Sequence, residues 1–561
     1  MKIVKGFPAT SQVNYQLNVT NIIKHGARNF GRQEIVSRKH DGTMFRYTYK
    51  DAYERCARLA NSLSSIGLGV EDRIGVLAWN TYEHYEIYFG IPGIGAVMLL
   101  LNLRLAPQEL SYVVNHAETK FLFFDETLLP IAESIASNCK TLEGYVIITD
   151  KKLSDIETKL EPIHIYEELL SAVKPDYNWP NIDETSSYCA CYTSGTTGRP
   201  KGVYYSHRDV YLQAMTYALN ATISIKDCVC QLVPMFHVLG WGTPQAATLA
   251  GAKLVFPGRY SLKNLNEIIE ILVQERVTIP NGATAILMPM MEHIRKMDQK
   301  PDLSGVRFIT GASEPPVAMM RDYWDLTGAK VIHTYGSTEA NAVVTINLPK
   351  PWLEKELSEE ERWDLKRKQG YIVTGLDVKI VDSNGKELPH DGKSAGEILL
   401  RGPWVSGQYF NAPGSEIQFT EAGYFKSGDV GTIDSEGYLK ITDRLKDLIK
   451  SSGEWISSVD MENTLVSYPA VLEAAVVGCP HPKWEERPLA LVVLRDEFKS
   501  KVTKEEILEH LAEKFAKWQL PNEILFVDTI LKTGVGKIDK KVIRGKYKDV
   551  YTTKKTEKEC K

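Results

Sequence analysis

Short apolar runs recur along the first part of the chain, and a longer amphipathic segment separates each run from the next. The runs are residues 73–80 (RIGVLAWN), 120–125 (KFLFFD) and 145–150 (YVIITD), and the apolar spacing from about residue 17 to residue 66 is that of helices. Buried strands that alternate with helices form βαβ units with mostly parallel sheets. The pattern therefore predicts an α/β fold.

The pattern changes in the second half of the chain. Residues 307–316 and 330–340 each predict a strand that ends in a glycine-containing turn, and residues 396–410 and 424–431 predict an antiparallel, turn-rich continuation. Between 438 and 463 basic residues alternate with apolar ones, and beyond them lie short strands and one amphipathic helix. We predict a large N-terminal domain, residues 1–443, with parallel sheets and an antiparallel subdomain, and a small α+β C-terminal domain, residues 444–561.

Residues 192–202 (YTSGTTGRPKG) predict a loop that binds phosphates. Glycines at 195, 198 and 202 permit close backbone approach, so successive N–H groups can face one anion. The polar side chains are Thr193, Ser194, Thr196, Thr197 and Lys201. The spacing is not that of the Walker loop, and Pro200 disfavours the helix that the Walker loop enters. A polar surface hairpin is the alternative, but the density of hydroxyls and glycines favours a polyphosphate site.

Composition excludes several classes of protein. A chain of 561 residues requires at least two domains, and a formal net charge of −4 gives no reason to expect nucleic acid as a partner. The longest apolar run, residues 91–101, is about half of what a membrane span needs, and no secretory signal is evident, so we expect a cytoplasmic protein. The 8 cysteines include two pairs spaced i, i+2, which suits buried strands better than zinc, so we predict no structural metal.

The turn after residue 334 contains candidates for nucleotide binding. Tyr335 can stack on a purine, and Thr338 can contact a phosphate. Glu339 offers the hard oxygen that Mg²⁺ prefers beside phosphates. The alternative for Glu339 is a solvated helix start, where a negative charge is also favourable.

Two other places suggest binding. Asp429 lies in a glycine-flanked turn and is suited to accepting hydrogen bonds from the hydroxyls of a ribose. His237 and Trp241 lie among small residues, a composition typical of a pocket wall. A lone histidine beside aromatic residues is, however, more often a core residue than a catalyst.

Five segments stand in the order that the adenylate-forming superfamily uses. They are 192–202 (YTSGTTGRPKG), 335–339 (YGSTE), 427–429 (SGD), 443–455 (DRLKDLIKSSGEW) and 533–537 (TGVGK). The chain thus resembles this superfamily, which includes acyl-CoA synthetases, luciferases and peptide-synthetase adenylation domains, over nearly its whole length. It is similar to the fatty acyl-CoA synthetase branch and also to archaeal 4-hydroxybutyrate–CoA ligases. Leu531 departs from the pattern, because relatives commonly have proline there.

The resemblance implies an AMP-forming carboxylic acid–CoA ligase that uses ATP, Mg²⁺ and coenzyme A. The acid would be short- to medium-chain, with a hydroxy acid such as 4-hydroxybutyrate in contention. A long-chain acid, a non-CoA acceptor and an inactive nucleotide-binding relative are the alternatives. The lack of a carrier segment argues against a carrier thiol, and the presence of Lys201, Glu339 and Lys537 argues against inactivity. The resemblance also allows a homodimer.

The resemblance further implies roles for individual residues. The catalytic residues would be Lys537, Lys201 and Glu339, and the Mg²⁺ ligands Thr193 and Glu339. The nucleotide site would comprise Thr193, Ser194, Gly195, Thr196, Thr197, Gly198, Lys201, Ala312, Ser313, Glu314, His333, Thr334, Tyr335, Gly336, Ser337, Thr338, Asp429, Arg444, Lys450 and Lys537. The acyl site would comprise His237, Val238, Trp241, Ala312, His333 and Gly336, and the CoA site Lys450, Ser452, Gly453, Glu454 and Trp455.

Two expectations concern movement and chain length. The resemblance implies two half-reactions, formation of an acyl-adenylate and its attack by the CoA thiol. The small domain should rotate between them about a hinge at Asp443 and Lys446, which removes Lys537 from the site. Gly336 stands where acetate-using relatives have a tryptophan that closes the acyl pocket, so it predicts a cavity and an acid longer than acetate. The alternative is that this glycine serves only the backbone geometry of its turn. His333 and Thr334 are expected to be able to hydrogen-bond a terminal hydroxyl.

Overall fold

The computed structural model describes residues 4–12, 14–193, 199–262, 264–451, 454–499, 501–532 and 538–552. The elements of the first part are α1 (Thr20–Phe30), β1 (Glu34–Arg38), β2 (Met44–Thr48), α2 (Tyr49–Ser65), β3 (Arg73–Leu77), α3 (Tyr82–Gly93), β4 (Val97–Leu100), α4 (Pro107–His116), β5 (Phe121–Asp125), α5 (Leu129–Ala136), β6 (Gly144–Ile148), β7 (Ile163–Ile165), α6 (Tyr166–Ser171) and β8 (Ser187–Thr193).

The middle part alternates helices and strands and then becomes strand-rich. Its elements are β9 (Lys201–Ser206), α7 (His207–Asn220), β10 (Cys228–Gln231), α8 (Thr243–Ala250), β11 (Lys253–Phe256), α9 (Asn266–Gln274), β12 (Ile279–Asn281), α10 (Thr284–Lys296), β13 (Arg307–Thr310), α11 (Val317–Thr327), β14 (Lys330–Tyr335), β15 (Thr345–Ile346), α12 (Pro351–Glu356), α13 (Glu359–Arg367), β16 (Gly370–Ile372), β17 (Asp377–Val381), β18 (Gly396–Arg401), β19 (Phe425–Ile433) and β20 (Tyr438–Arg444).

The C-terminal part has its own sheet and core. Its elements are β21 (Ile449–Ser451), β22 (Glu454–Ile456), α14 (Ser458–Ser467), β23 (Val471–His481), β24 (Glu485–Leu494), α15 (Lys504–Ala512), β25 (Glu523–Phe526) and α16 (Lys540–Tyr547). The sheet runs β22-β21-β24-β23, all antiparallel, and β25 pairs parallel with β24. Ile449, Met461 and Ile507 pack in a core on one side of this sheet.

Two larger sheets form the N-terminal part. The seven-stranded sheet has the order β7-β6-β5-β3-β4-β8-β9 and is parallel except for the β8–β9 pair. The thirteen-stranded sheet has the order β17-β18-β19-β20-β16-β15-β14-β13-β12-β10-β11-β1-β2. The six neighbouring strands β14, β13, β12, β10, β11 and β1 are parallel. The pairs on the other side of β14, from β14–β15 to β18–β17, are antiparallel, as is the β1–β2 pair. The predicted fold class, parallel sheets with an antiparallel continuation and a small C-terminal domain, is confirmed.

The region from 17 to 66 is not helical throughout, which corrects the prediction from its spacing. An antiparallel hairpin, β1–β2, separates α1 from α2, and β1 joins the large sheet through a parallel pairing with β11. The hairpin turns at Gly42, whose φ of 87° suits glycine. An Asp-Gly pair between alternating strands is a local hairpin signal, so the sequence did contain the information.

Helix starts are encoded locally. Thr48 and Asp51 form a capping box at the start of α2, and Ser206 and Asp209 form another at the start of α7. The second box fixes where the chain leaves β9, directly after the predicted phosphate loop. No helix within the described ranges is long and apolar enough to cross a membrane.

Candidate active site

A cavity of about 1590 Å³ lies where the parallel half of the large sheet meets its antiparallel half. This exceeds the roughly 300–1,000 Å³ of an ordinary ligand pocket, so it has room for more than one ligand. In open parallel sheets, ligands bind beyond the carboxyl ends of the strands, and β13 and β14 end at this cavity. Its lining includes the predicted residues Thr193, Lys201, His237, Val238, Trp241, Ala312, Ser313, Glu314, His333, Thr334, Tyr335, Gly336, Ser337, Thr338, Glu339, Asp429, Asp443, Arg444 and Lys446.

Three predicted nucleoside residues form one hydrogen-bonded cluster. Tyr335 donates its hydroxyl to Asp429 Oδ2 at 2.6 Å, and Arg444 Nε lies 3.3 Å from Asp429 Oδ1. Asp429 and Arg444 face each other across the β19–β20 ladder. Burial and the neighbouring Asp429 carboxylate raise the pKa of Tyr335 well above its ordinary value, so the phenol is neutral. The sheet pairing thus holds a carboxylate and a guanidinium beside an aromatic ring.

The predicted phosphate and metal residues meet at a second cluster. Thr193 and Lys201 pair across the β8–β9 ladder, and Glu339 lies in the short 3₁₀ turn that follows β14. Tyr409 donates its hydroxyl to Glu339 Oε1 at 2.6 Å, and Lys201 Nζ lies 4.9 Å from the centroid of the Tyr409 ring. Sequence reasoning missed Tyr409, because nothing in the local pattern of 396–410 indicates where its side chain points. Ser194–Gly198, also predicted to bind nucleotide, lie outside the described residues.

The apolar wall of the cavity contains a left-handed turn. Val238, Leu239, Gly240, Trp241 and Gly242 have φ values of 46°, 56°, 57°, 65° and 72°. Left-handed backbone costs a non-glycine residue about 1–2 kcal/mol, so the surroundings must hold this turn in place.

Buried amide side chains hold the left-handed turn. Asn281 Nδ2 and Gln231 Nε2 both donate to the Gly240 carbonyl, at 3.1 and 3.2 Å, and Gln213 Nε2 donates to the Trp241 carbonyl at 3.2 Å. This clamp holds the backbone at Trp241, a residue that lines the cavity.

The structure corrects the interpretation of Gly336. A Cβ atom at this position would lie 1.2 Å from the Ala342 carbonyl oxygen and 2.4 Å from its carbon. A side chain at 336 therefore points at backbone rather than into free space. The glycine is needed because the chain passes so close to itself, and its missing side chain leaves no space for an acid.

His333 and Thr334 are already engaged in the fold. His333 Nδ1 donates to the Arg367 carbonyl at 2.9 Å, and burial lowers the pKa of His333 to about 4. The ring is therefore neutral, with Nε2 left as an acceptor. Thr334 Oγ1 donates to the Thr310 carbonyl at 3.1 Å. Of the two residues expected to bind a terminal hydroxyl, His333 has the freer polar atom.

A polar seam joins the large domain to α14. Arg367 Nε donates to Glu314 Oε1 at 2.7 Å, and its Nη2 donates to Asp460 Oδ1 at 2.8 Å. Asn463 also donates to Glu314 Oε1 at 2.7 Å. Burial raises the pKa of Glu314 to about 7 despite the nearby Arg367.

The predicted hinge residue Asp443 belongs to the same seam. Asp443 Oδ2 accepts hydrogen bonds from the backbone N–H and the hydroxyl of Ser458, at 2.7 and 2.5 Å. These contacts attach the first turn of α14 directly to β20.

The predicted CoA residues lie elsewhere in this arrangement. Lys450 and Trp455 pair across the β21–β22 hairpin and do not line the cavity. Lys450 Nζ lies 3.6 Å from Glu485, and Trp455 is exposed. Glu454 belongs to β22, whereas Ser452, Gly453 and Lys537 lie outside the described residues.

The residues on either side of the segment that contains Lys537 do reach the cavity. Lys532 and Ile538 both line it and form an antiparallel bridge with each other. In this arrangement the cavity is therefore bordered by the flanks of the predicted lysine loop, and not by the β21–β22 hairpin.

The chain belongs to the AMP-binding enzyme family. The family model described as "AMP-binding enzyme" matches residues 23–410, and "AMP-binding enzyme C-terminal domain" matches residues 460–537.

The chain is similar to curated proteins over almost its full length. It is 41% identical to a long-chain-fatty-acid–CoA ligase of Thermus thermophilus over 552 residues, 98% of each chain. It is 38% identical to a medium-chain-fatty-acid–CoA ligase of Ectopseudomonas oleovorans over 538 residues, 95% of this chain and 97% of the relative. The crystal structure of the anthranilate CoA ligase AuaEII in complex with anthranoyl-AMP shares the fold, with a TM-score of 0.85 at 24% identity over 96% of this chain and 98% of that one.

Proposed function

We propose that this protein is an AMP-forming carboxylic acid–CoA ligase. The observation that carries the proposal is that one cavity brings together the oppositely charged residues Lys201 and Glu339, the nucleoside cluster around Tyr335 and the apolar wall at Trp241. The 41% identity to a long-chain and the 38% identity to a medium-chain fatty acid–CoA ligase support the same reaction.

The first half-reaction joins the acid to the nucleotide. A carboxylate oxygen attacks the α-phosphorus of ATP, the bond to the β-phosphate breaks, and pyrophosphate leaves. Two anions must approach, so positive charge has to be in place beforehand, which is the role of Lys201 and Lys537. Asp429 and Arg444 bind the ribose, and Tyr335 stacks on the adenine.

Glu339 and Thr193 would hold Mg²⁺. A carboxylate and a hydroxyl are the hard oxygen donors that Mg²⁺ takes beside phosphate groups, and both residues line the cavity. When bound, the ion neutralises charge on the phosphates as pyrophosphate leaves. One oxygen of Glu339, Oε1, accepts a hydrogen bond from Tyr409.

The second half-reaction needs another domain arrangement. The thiol of CoA loses its proton and attacks the acyl carbon, the mixed anhydride bond between the acyl carbon and the phosphate oxygen breaks, and AMP leaves. The boundary between the domains is proposed at residues 443 and 444, with rotation about Lys446. The flanks of the Lys537 segment now border the cavity, whereas Lys450 and Trp455 lie outside it. This supports an assignment of the present arrangement to adenylate formation, with the β21–β22 hairpin reaching the CoA site after rotation.

The acid is proposed to be short- to medium-chain, with a terminal hydroxyl accepted by His333 Nε2 as one option. A long-chain acid is the second candidate, because the Thermus thermophilus relative is named for such acids. The missing side chain of Gly336 leaves no space for an acid, so Gly336 does not set the acid's length. We assign the limit on chain length to Trp241, which lines the cavity and whose backbone carbonyl is held by Gln213.

One assay tests the reaction and the acid together. AMP and pyrophosphate are measured with straight-chain acids from acetate to palmitate and with their ω-hydroxy analogues, each with and without CoA. A CoA ligase gives AMP stoichiometric with the thioester and dependent on CoA. AMP release that is equal with and without CoA contradicts the ligase assignment, and a preference for acetate contradicts the proposed chain length.

A further inference from the structure

Tyr409 contacts two groups of opposite charge in the cavity. Its hydroxyl donates to Glu339 Oε1 at 2.6 Å, and the face of its ring lies 4.9 Å from Lys201 Nζ. A phenol hydroxyl is protonated at neutral pH, so it donates to this carboxylate.

The backbone around Tyr409 is tied to both of these partners. Ser406 N donates to the Glu339 carbonyl at 2.6 Å, and Phe410 N donates to the carbonyl of Gly202, next to Lys201, at 2.9 Å. The segment 406–410 therefore connects the turn that contains Glu339 to the strand that contains Lys201, and it holds the backbone of Tyr409 between them.

A second tyrosine, Tyr424, also contacts a carboxylate and a cation, and it serves as a comparison. Tyr424 donates its hydroxyl to Asp377 Oδ2 at 2.7 Å, and the Arg401 guanidinium lies 4.4 Å from its ring centroid. There the cation and the carboxylate also meet directly, with Arg401 Nη2 at 2.5 Å from Asp377 Oδ2. Tyr424 does not line the cavity.

The groups around Tyr409 differ from those around Tyr424 because the cation and the carboxylate do not contact each other. Within the part of the chain that the structure describes, no ion pair joins Lys201 to Glu339, and the tyrosine contacts each of them separately. An ion pair would neutralise both groups and would have to be broken before a metal or a phosphate could bind. Because they are not paired with each other, the ammonium can meet an anionic ligand and the carboxylate a cationic one.

We propose that Tyr409 is a positioning residue that holds Lys201 and Glu339 apart, so that the ammonium meets the phosphates and the carboxylate meets the divalent cation. The inference rests on the proposed function, because that function brings a metal–nucleotide complex to this cavity. Mutation of a residue that hydrogen-bonds a metal-ligating side chain typically lowers metal affinity by about 10- to 100-fold.

The test uses two substitutions and a binding readout. Tyr409→Phe removes the hydroxyl and keeps the ring, whereas Tyr409→Leu removes both. Mn²⁺ binding is followed by electron paramagnetic resonance in the presence of α,β-methylene-ATP, which cannot be converted to the adenylate. Metal-free binding of the same nucleotide is measured by calorimetry.

Tyr409→Phe should weaken Mn²⁺ by about 10-fold or more and leave metal-free nucleotide binding unchanged. Tyr409→Leu should also weaken metal-free binding by about two- to fivefold, through loss of the ring beneath the ammonium. Tyr424→Phe and Tyr424→Leu are matched controls and should change neither affinity.

The outcomes separate this inference from the proposed function. Unchanged Mn²⁺ affinity in Tyr409→Phe, or equal effects of the Tyr409 and Tyr424 substitutions, overturns the positioning role. Failure of the wild type to release pyrophosphate with any acid overturns the proposed function instead, and the metal-binding result stands independently of it.

Discussion

Replacement of Arg367 by methionine tests the seam between the large domain and α14. The guanidinium is 17% exposed and bonds Glu314, which is 4% exposed, and Asp460, which is 30% exposed. Removing the partner of a buried carboxylate costs about 3–5 kcal/mol, and the contact with Asp460 adds about 0–1 kcal/mol. Glu314 keeps its bond from Asn463, and its pKa of about 7 lets it take up a proton, so we expect the lower end, about 3 kcal/mol.

The same substitution should affect the two half-reactions differently. Arg367 and Asp460 lie on opposite sides of the seam, so their bond exists only in an arrangement like the present one. We expect pyrophosphate release to fall, while thioester formation from a supplied acyl-adenylate is retained. Stopped-flow or quench-flow single turnovers measure the two rates separately.

The matched control is Arg321→Met. Arg321 donates to both oxygens of Glu360 at 2.7 Å, but Glu360 is 79% exposed, and the pair joins α11 to α13 within the large domain. In urea unfolding, the unfolding free energy should fall by a large amount for Arg367→Met and by a small amount for Arg321→Met. Equal shifts, or equal loss of both half-reactions in Arg367→Met, would refute the assignment of the seam.

Three further substitutions have defined outcomes. Burial raises the Glu314 pKa from 4.5 to about 7, so the folded protein favours the protonated carboxyl. The stability that this protonated group contributes is full below pH 4.5 and is lost as the pH rises through 7. The unfolding free energy of Glu314→Gln should therefore rise by about 3 kcal/mol relative to wild type between pH 4.5 and 7.5, and a pH-independent difference would contradict this. Gly336→Ala should lower kcat/KM for all acids alike, with Gly69→Ala, which meets no atom within 4 Å, as the control; a selective loss of longer acids would restore the cavity hypothesis. Lys537→Ala should slow adenylate formation by about 10²–10³ and spare thioester formation from supplied adenylate, so equal losses would argue against its role.

Much of the fold could be predicted because its signals are local. The apolar runs of β3, β5 and β6 and the five ordered signatures depend only on neighbouring residues. The β1–β2 hairpin was locally encoded too, by Asp41-Gly42, but the helical spacing around it dominated the interpretation. Capping boxes at α2 and α7 likewise mark helix starts in the sequence itself.

The tertiary structure alone decided the contacts that tune the site. Tyr409 lies 70 residues from Glu339 in the chain, and no periodicity reports that a hydroxyl and a carboxylate so far apart will meet. Gly336 shows the same limit, since the Ala342 carbonyl that excludes a side chain there becomes visible only when the turn is closed. Sequence patterns determine which segments become strands, helices and loops, because hydrogen bonding and side-chain periodicity act over a few residues. Which side chains face each other across a cavity depends on how whole sheets pack, and that follows from the summed burial of many distant residues.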